Sequence, residues 1–289
     1  MNASNRPGYA LTAPLVGVVL LLVVAPLAVF LLYSVLTPQP FSVQWSPTFD
    51  SYRRVAGERV WWNLIAGSVQ VGFITAVVSV VLGYVLAHHI AFHAGRSKFL
   101  LLGLTAISIL GGYLVRVYAW RTILGTHGVV NTALLRLGLI DEPLRWLLFN
   151  RWAVIVALAN IFVPFAAIVI YARLANLQPE HVQAARDLGA NARGAFRLVT
   201  LPLSGRAVFL AFAFVFLLSA ADYVTPQLLG GATGAMIGVA VQDQFQRVGN
   251  WPLGAALGFT IFAVSAVCIA GLWLVMRVAG LLPRGGRHA

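Results

Sequence analysis

Charge is nearly absent from this chain over stretches long enough to cross a lipid bilayer. No Asp, Glu, Lys or Arg falls between Arg6 and Asp50, between Arg59 and Arg96, between Arg151 and Arg173, or between Arg247 and Arg277. A helix needs roughly 20 apolar residues to cross the hydrocarbon, and within it each backbone polar group must be satisfied inside the segment. Such a chain folds as membrane helices. Hydrophobic residues make 60% of the 289 and charged residues 10%, against about a quarter charged in soluble domains. An ordinary soluble domain is excluded.

The expected spans are Leu11–Leu36, Trp62–Phe92, Phe99 to about Leu124, Trp152–Ala172, one starting at Ala207, and Pro252–Met276. The third carries Arg116 towards its end. The fold class is therefore an all-α integral membrane protein with six transmembrane helices. The first span is not a cleavable signal, because its apolar core is too long and no small-x-small site follows closely. Pro14, Pro26 and Pro164 are tolerable within spans, since neighbouring helices satisfy the freed carbonyls. Cys268 is the single cysteine, so no disulfide forms within the chain, and it reads as a small packing residue.

A net charge of +12 suggests nucleic acid, but the arginines are scattered at the ends of spans in a lipid bilayer, which argues against a nucleic-acid partner. Soluble-enzyme signatures are missing too. There is no HExxH, and the single lysine, Lys98, follows Ser97, so no phosphate-cradling GxxxxGK[ST] loop exists. His88, His89 and His93 cluster at the inner end of the second span, with 89 and 93 on one helix face. Lacking Cys, Asp or Glu nearby, they read as a structural polar cluster, with metal ligation as the alternative.

The most informative polar stretch runs over residues 178–202. Pro179 and Glu180 suit a first helical turn, the latter complementing the helix dipole. Gly189 can close that helix in the left-handed conformation, and Asn191 can cap a second. Two short helices held at a membrane surface suit docking of a soluble partner, whereas an amphipathic loop is the plainer reading. Gln183, Ala184, Ala185, Gly189, Leu201 and Pro202 stand at the spacing of the EAA loop, which this stretch resembles, of permease subunits in ABC importers. Gln183 replaces the usual Glu of that pattern, and Glu180, one turn earlier, can take over polar contacts.

Further blocks carry a narrower resemblance. Residues 114–125 (Leu-Val-Arg-Val-Tyr-Ala-Trp-Arg-Thr-Ile-Leu-Gly) and Gly128-Val-Val-Asn131 are similar to spermidine/putrescine importer permeases. So are residues 222–231 (Asp-Tyr-Val-Thr-Pro-Gln-Leu-Leu-Gly-Gly), Met236-Ile-Gly238, Gln242-Asp-Gln-Phe245 and the run from Asn250 to Leu257. The chain is identified as a member of that group, similar to the first of its two permeases.

The resemblance implies a type I ABC importer permease fold, with a cytoplasmic tail, first transmembrane helix and outer loop (1–61), a transmembrane core of five helices with the EAA loop at about 178–202 (62–279), and a cytoplasmic tail (280–289). It implies a homologous second permease, two copies of an ATPase docked on the EAA loops, and a periplasmic binding protein that delivers cargo. ATP and Mg belong to the ATPase, so this chain is not an enzyme and needs no cofactor of its own. The coupling residues would be Glu180, Gln183, Ala184, Ala185, Asp187, Gly189 and Pro202. The cargo would be a polyamine, with another small amine or organic solute as the alternative. An ion-coupled secondary transporter is a further rival, supported by the glycine-rich 230–238 segment, and an integral membrane enzyme is a weaker one for want of a polar catalytic set.

Asp222 is the candidate substrate contact. Only 15 uncharged residues separate it from Arg206, about 22 Å of helix at 1.5 Å per residue. That is short of the roughly 30 Å hydrocarbon core, so Asp222 should lie in the outer part of a span or line a cavity. An intramembrane carboxylate is expensive and marks function by default. It offers counter-charge to a cationic amine, and Tyr223, Tyr118 and Trp120 offer aromatic faces for cation–π contact. The alternative is an ion pair with Arg116 or Arg121 that fixes helix packing.

With both termini cytoplasmic in a bacterial inner membrane, inner segments hold eleven basic residues and outer segments nine. That bias is weak, so the orientation rests on the EAA resemblance. Cysteines placed at 94 and 180 in a Cys268→Ser background should be shielded from an impermeant reagent in intact cells, and those at 57, 138 and 250 should label. Labelling at 180 from outside would overturn the orientation.

Overall fold

The computed structural model of the chain describes residues 14, 16–177 and 179–281. The expected N-terminal tail, the first residues of the first span, Gln178 and the tail from 282 onward lie outside the described residues, as do the side chains of Pro179 and Val182.

In chain order the elements are α1 (Val16–Ser34), then β1 (Leu36–Gln39) and β2 (Ser42–Pro47), paired antiparallel, and α2 (Asp50–Gly57). Next come α3 (Arg59–Phe92), α4 (Lys98–Leu110), α5 (Tyr113–Leu124) and α6 (Val129–Arg136). They are followed by α7 (Arg151–Leu174), α8 (Pro179–Asp187) and α9 (Ala192–Ala220). A single wide turn at Pro226–Gly230, α10 (Ile237–Asp243) and α11 (Trp251–Val278) complete the fold.

Helices α1, α3, α7, α9 and α11 are long and apolar enough to cross a membrane. The third expected span differs. Its two halves, α4 and α5, meet at a bend of 92°, so the described residues hold five straight spans, or six if the bent pair counts as one. The cause is Gly111-Gly112, whose backbone leaves the helix at ψ 133 and 128. Glycine is the weakest helix former after proline, and two in succession end the helix. Asn150 starts α7, its Oδ1 accepting from Trp152 N (2.7 Å) and Ala153 N (3.0 Å).

The chain divides into two compact units, the first up to Trp62 with Ala240–Ile261, the second Asn63–Val239 with the chain from Phe262.

In the first unit α1 buries none of its most apolar stretch, and Leu21 and Leu22 are each 68% exposed. A helix that is apolar all round suits lipid contact. At its end Tyr33 stacks on Trp251 at 6.3 Å, and Phe30 meets Phe245 edge-on at 5.7 Å. The hairpin is an addition to the all-helical expectation, its strand pattern broken up in the sequence by Pro38, Pro40 and Pro47. It is fastened by Ser46 Oγ donating to Thr37 Oγ1 (2.8 Å) and by Phe41 N donating to Gly249 O (3.0 Å).

The second unit is built on α3, α7 and α9. Ala76, Val80 and Ala87 of α3 pack with Ala166 and Ile170 of α7 and with Val215 and Phe216 of α9. Beside them, Val71, Val117, Val154, Leu158, Leu229 and Met236 form a second cluster. The approach of α3 to α7 is close, since a Cβ on Gly83 would stand 2.9 Å from both Ala166 Cβ and Ala167 N. Gly83→Leu should therefore cost about 1–3 kcal/mol of overpacking and lower the thermal midpoint of the purified protein in detergent. Gly103→Ala, where nothing lies within 4 Å, should leave it unchanged or raise it. An unshifted midpoint for Gly83→Leu would contradict the close packing.

Candidate functional site

The polar stretch after α7 folds as two helices around a sharp corner. Helix α8 begins at Pro179 with Glu180 in its first turn. It ends on Gly189 at φ +89, with Ala190 N donating to Ala185 O (3.0 Å) and Gly189 N to Arg186 O (2.9 Å). Those two bonds define a Schellman cap. Asn191 Oδ1 then accepts from Gly194 N at 2.8 Å and opens the next helix. The second short helix expected here does not stop. It runs through one wide turn at Phe196–Thr200 and past Pro202 into the fifth span.

Glu180, Gln183, Ala184, Asp187 and Gly189 are exposed, Ala185 is half-buried, and Leu188 is 90% exposed. A helix with so little of its surface covered offers a polar and small-residue face to a partner. No atom lies within 4 Å of a Cβ built on Gly189, so its requirement for glycine is one of backbone conformation alone.

Asp222 lies where α9 ends. Its Oδ1 accepts from Tyr113 Oη (2.6 Å) and from Val224 N (3.2 Å), and its Oδ2 accepts from Thr225 N (3.1 Å). Tyr113 Oη also lies 2.7 Å from Thr225 Oγ1. Asp222 is thus the cap of the helical segment that carries Pro226. The ion pairs among the described residues are Arg53–Asp50, Arg54–Glu58 and Arg247–Asp243. Asp222 pairs with neither Arg116 nor Arg121. The sequence reading missed Tyr113 and Thr225, although an Asp followed by Thr three residues on and then by Pro is a helix-start signal.

The aromatic candidates separate. Tyr223 is 43% and Tyr118 53% exposed, whereas Trp120 packs against the cluster around Val117 and Leu158. Tyr113 and Trp120 are seven residues apart on α5 and share a face, while Tyr118 lies on another. Ser68 Oγ accepts from Ile237 N at 2.8 Å in a buried position, which ties the start of α10 to α3. His89 and His93 stack at 6.1 Å. Among the described residues no three His, Cys, Asp or Glu converge as a metal site.

No family model matches the chain. It is 30% identical over 231 residues to the spermidine/putrescine transport system permease protein PotB of Escherichia coli K12, covering 80% of this chain and 83% of that one. PotB of Haemophilus influenzae is 29% identical over 211 residues, 73% of this chain and 72% of that one. The inner membrane ABC transporter permease protein YdcU of E. coli is 29% identical over 221 residues, 72% and 69%. Among solved structures, a chain of a bacterial ABC transporter involved in the import of the acidic polysaccharide alginate superposes with a TM-score of 0.76 at 16% identity, covering 94% and 96%. That last likeness is one of fold.

Asp222→Ala removes the cap and the acceptor of the Tyr113 hydroxyl, so it should lower stability by about 1–2 kcal/mol. Asp222→Asn keeps one side-chain oxygen for a backbone N–H and should cost less. Thermal unfolding of both variants checks the order, and equal midpoints for wild type and Asp222→Ala would refute the capping role.

Proposed function

The chain belongs to the permease subunits of ABC importers, and from that premise we propose that it forms one half of a polyamine pathway across the bacterial inner membrane. The observation that carries the cargo is the 30% identity with PotB over four-fifths of both chains. In this reading a homologous permease forms the other half, two ATPase subunits bind ATP and Mg, and a periplasmic binding protein presents spermidine or putrescine at the outer face. This chain catalyses nothing itself. Both termini and α8 lie in the cytoplasm.

The coupling loop suits that division of labour. Helix α8 is exposed and is held at a fixed angle to α9 by the Gly189 and Asn191 caps. A push on α8 by a closing ATPase therefore passes into a membrane helix without being absorbed in a slack loop. Glu180, Gln183 and Asp187 supply polar contacts, the alanine pair lets the partner approach closely, and Pro202 marks where the lever enters the span.

On the outer side, Asp222 contributes a fixed negative charge. Three hydrogen bonds hold it in place, and no cation among the described residues neutralises it, so its field is left to act on a passing ammonium group. The exposed rings of Tyr223 and Tyr118 offer cation–π faces. Trp120, packed in the apolar cluster, keeps α5 in position.

The test is the purified four-component importer in proteoliposomes, with spermidine-loaded binding protein outside and ATP inside. ATP hydrolysis and uptake should rise together with spermidine. Stimulation by a different solute alone would overturn the polyamine cargo and leave family membership untouched. Gly189→Val imposes left-handed strain of roughly 1–2 kcal/mol, so it should weaken docking about ten-fold and abolish substrate-stimulated hydrolysis while the permease still inserts. Normal stimulation in that variant would show that the corner does not transmit coupling.

A further inference from the structure

At the end of α3 remote from Arg59, a cavity of about 650 Å³ opens between the last turns of that helix and the coupling loop. Its charged lining has one sign. Arg186, Arg193 and Arg197 line it, with His88 and His93 beside them, and no Asp or Glu is among the lining residues. None of the three arginines makes an ion pair or a side-chain hydrogen bond among the described residues. Apart from Thr200, the rest of the wall is apolar and aromatic, with the His88 ring 4.9 Å from Phe92 and 5.9 Å from Phe196.

Depth narrows what fits. The 34 residues of α3 extend about 51 Å at 1.5 Å per residue, against about 40–45 Å for a bilayer with its headgroups. The last turns, which carry His88 and Phe92, therefore reach headgroup level. Three guanidinium groups left without counter-charge at that level repel one another until an anion joins them. The planar fork of arginine matches phosphate oxygens better than any other side chain.

We propose that this cavity holds the phosphate headgroup of an anionic phospholipid. The arginines grip the phosphate while Phe92 and Phe196 receive the glycerol and the first methylenes of the chains. An acidic patch of the ATPase is the competing occupant. The lipid is favoured because His88, Phe92 and His93 belong to a membrane helix and its end, so one side of the wall is set at the bilayer surface. The inference goes beyond the transport reading and holds whichever side of the membrane this end of α3 faces.

The test uses the intact importer in mild detergent, titrated with short-chain phosphatidylglycerol, with short-chain phosphatidylcholine and inorganic phosphate as separate arms, and bound lipid counted by native mass spectrometry. Phosphatidylglycerol should bind and phosphatidylcholine should not. Each arginine removed should weaken binding about five-fold, the equivalent of about 1 kcal/mol per basic residue at a membrane surface. Arg193→Gln with Arg197→Gln should thus lose roughly 25-fold if the two act independently. If that pair fails to assemble, Arg186→Gln alone should show the five-fold loss. Displacement of the lipid by inorganic phosphate at equal concentration would reassign the site to a free anion and overturn the lipid. Undiminished phosphatidylglycerol binding in the variants, with or without loss of the ATPase from the complex, would overturn the proposal outright.

Discussion

A backbone that leaves the helix inside a bilayer finds no water, so each departure must be satisfied by the protein itself. That constraint organises the second unit. Where α9 ends, Asp222 takes the free N–H groups of Val224 and Thr225, and Tyr113 holds the carboxylate from the far side of the Gly111-Gly112 break. Where α10 begins, Ser68 reaches from α3 to accept the Ile237 N–H. Two interruptions of helical structure thus share one hydrogen-bonded node, and a third is tied to a spanning helix. The irregular segments are fixed in place by the helices they interrupt.

Close helix packing provides the rest. Lipid tails are as apolar as leucine, so association of spans depends on van der Waals fit between small residues. Helix α3 carries such a face in Gly72, Thr75, Ala76, Ser79 and Gly83. Gly72 and Gly83 leave no space for a Cβ against α9 and α7 respectively, and Thr75, Ala76 and Ser79 between them are fully buried. The opposite face of α3 presents Val81 and Val85, exposed at 55% and 65%, which suit lipid or a second subunit. One helix therefore serves as the seam of the bundle and as part of its outer wall.

Signals confined to a few neighbouring residues were legible in the sequence. Pro179, Gly189 and Asn191 announced the start, the corner and the restart of the two helices after α7, and each stands where expected, because caps are decided within about four residues. Uncharged length gave α1, α3, α7 and α11, whereas α9 begins at Ala192 and carries Arg193, Arg197 and Arg206 ahead of the uncharged run from Ala207. The bend at Gly111-Gly112 was hidden because hydropathy is blind to direction, and α4 and α5 read as one apolar run. The hairpin after α1 was hidden by its prolines. Asp222 was found by its charge but not by its partners. Tyr113 lies 109 residues away, and a pairing that distant follows from tertiary structure alone. The arginines of α8 and the start of α9 read as scattered surface charge until folding brought three of them around the end of α3.

The geometry of that corner bears on how force would travel. Helix α9 is continuous from Ala192 to Ala220, so a displacement at its first turn moves the whole span, including the end where Asp222 caps the next segment. The wide turn at Phe196–Thr200 follows directly on the Asn191 cap. Such a turn adds one residue to the helix and leaves a local weakness in its hydrogen bonding. Phe196 of this turn packs edge-on against Tyr84 at 5.8 Å, and Tyr84 Oη lies 3.1 Å from Ser204 Oγ, so the turn is braced against α3 on one side. The contact between Phe196 and Tyr84 thus ties the first turns of α9 to α3, so a shift of one helix at this level is felt by the other.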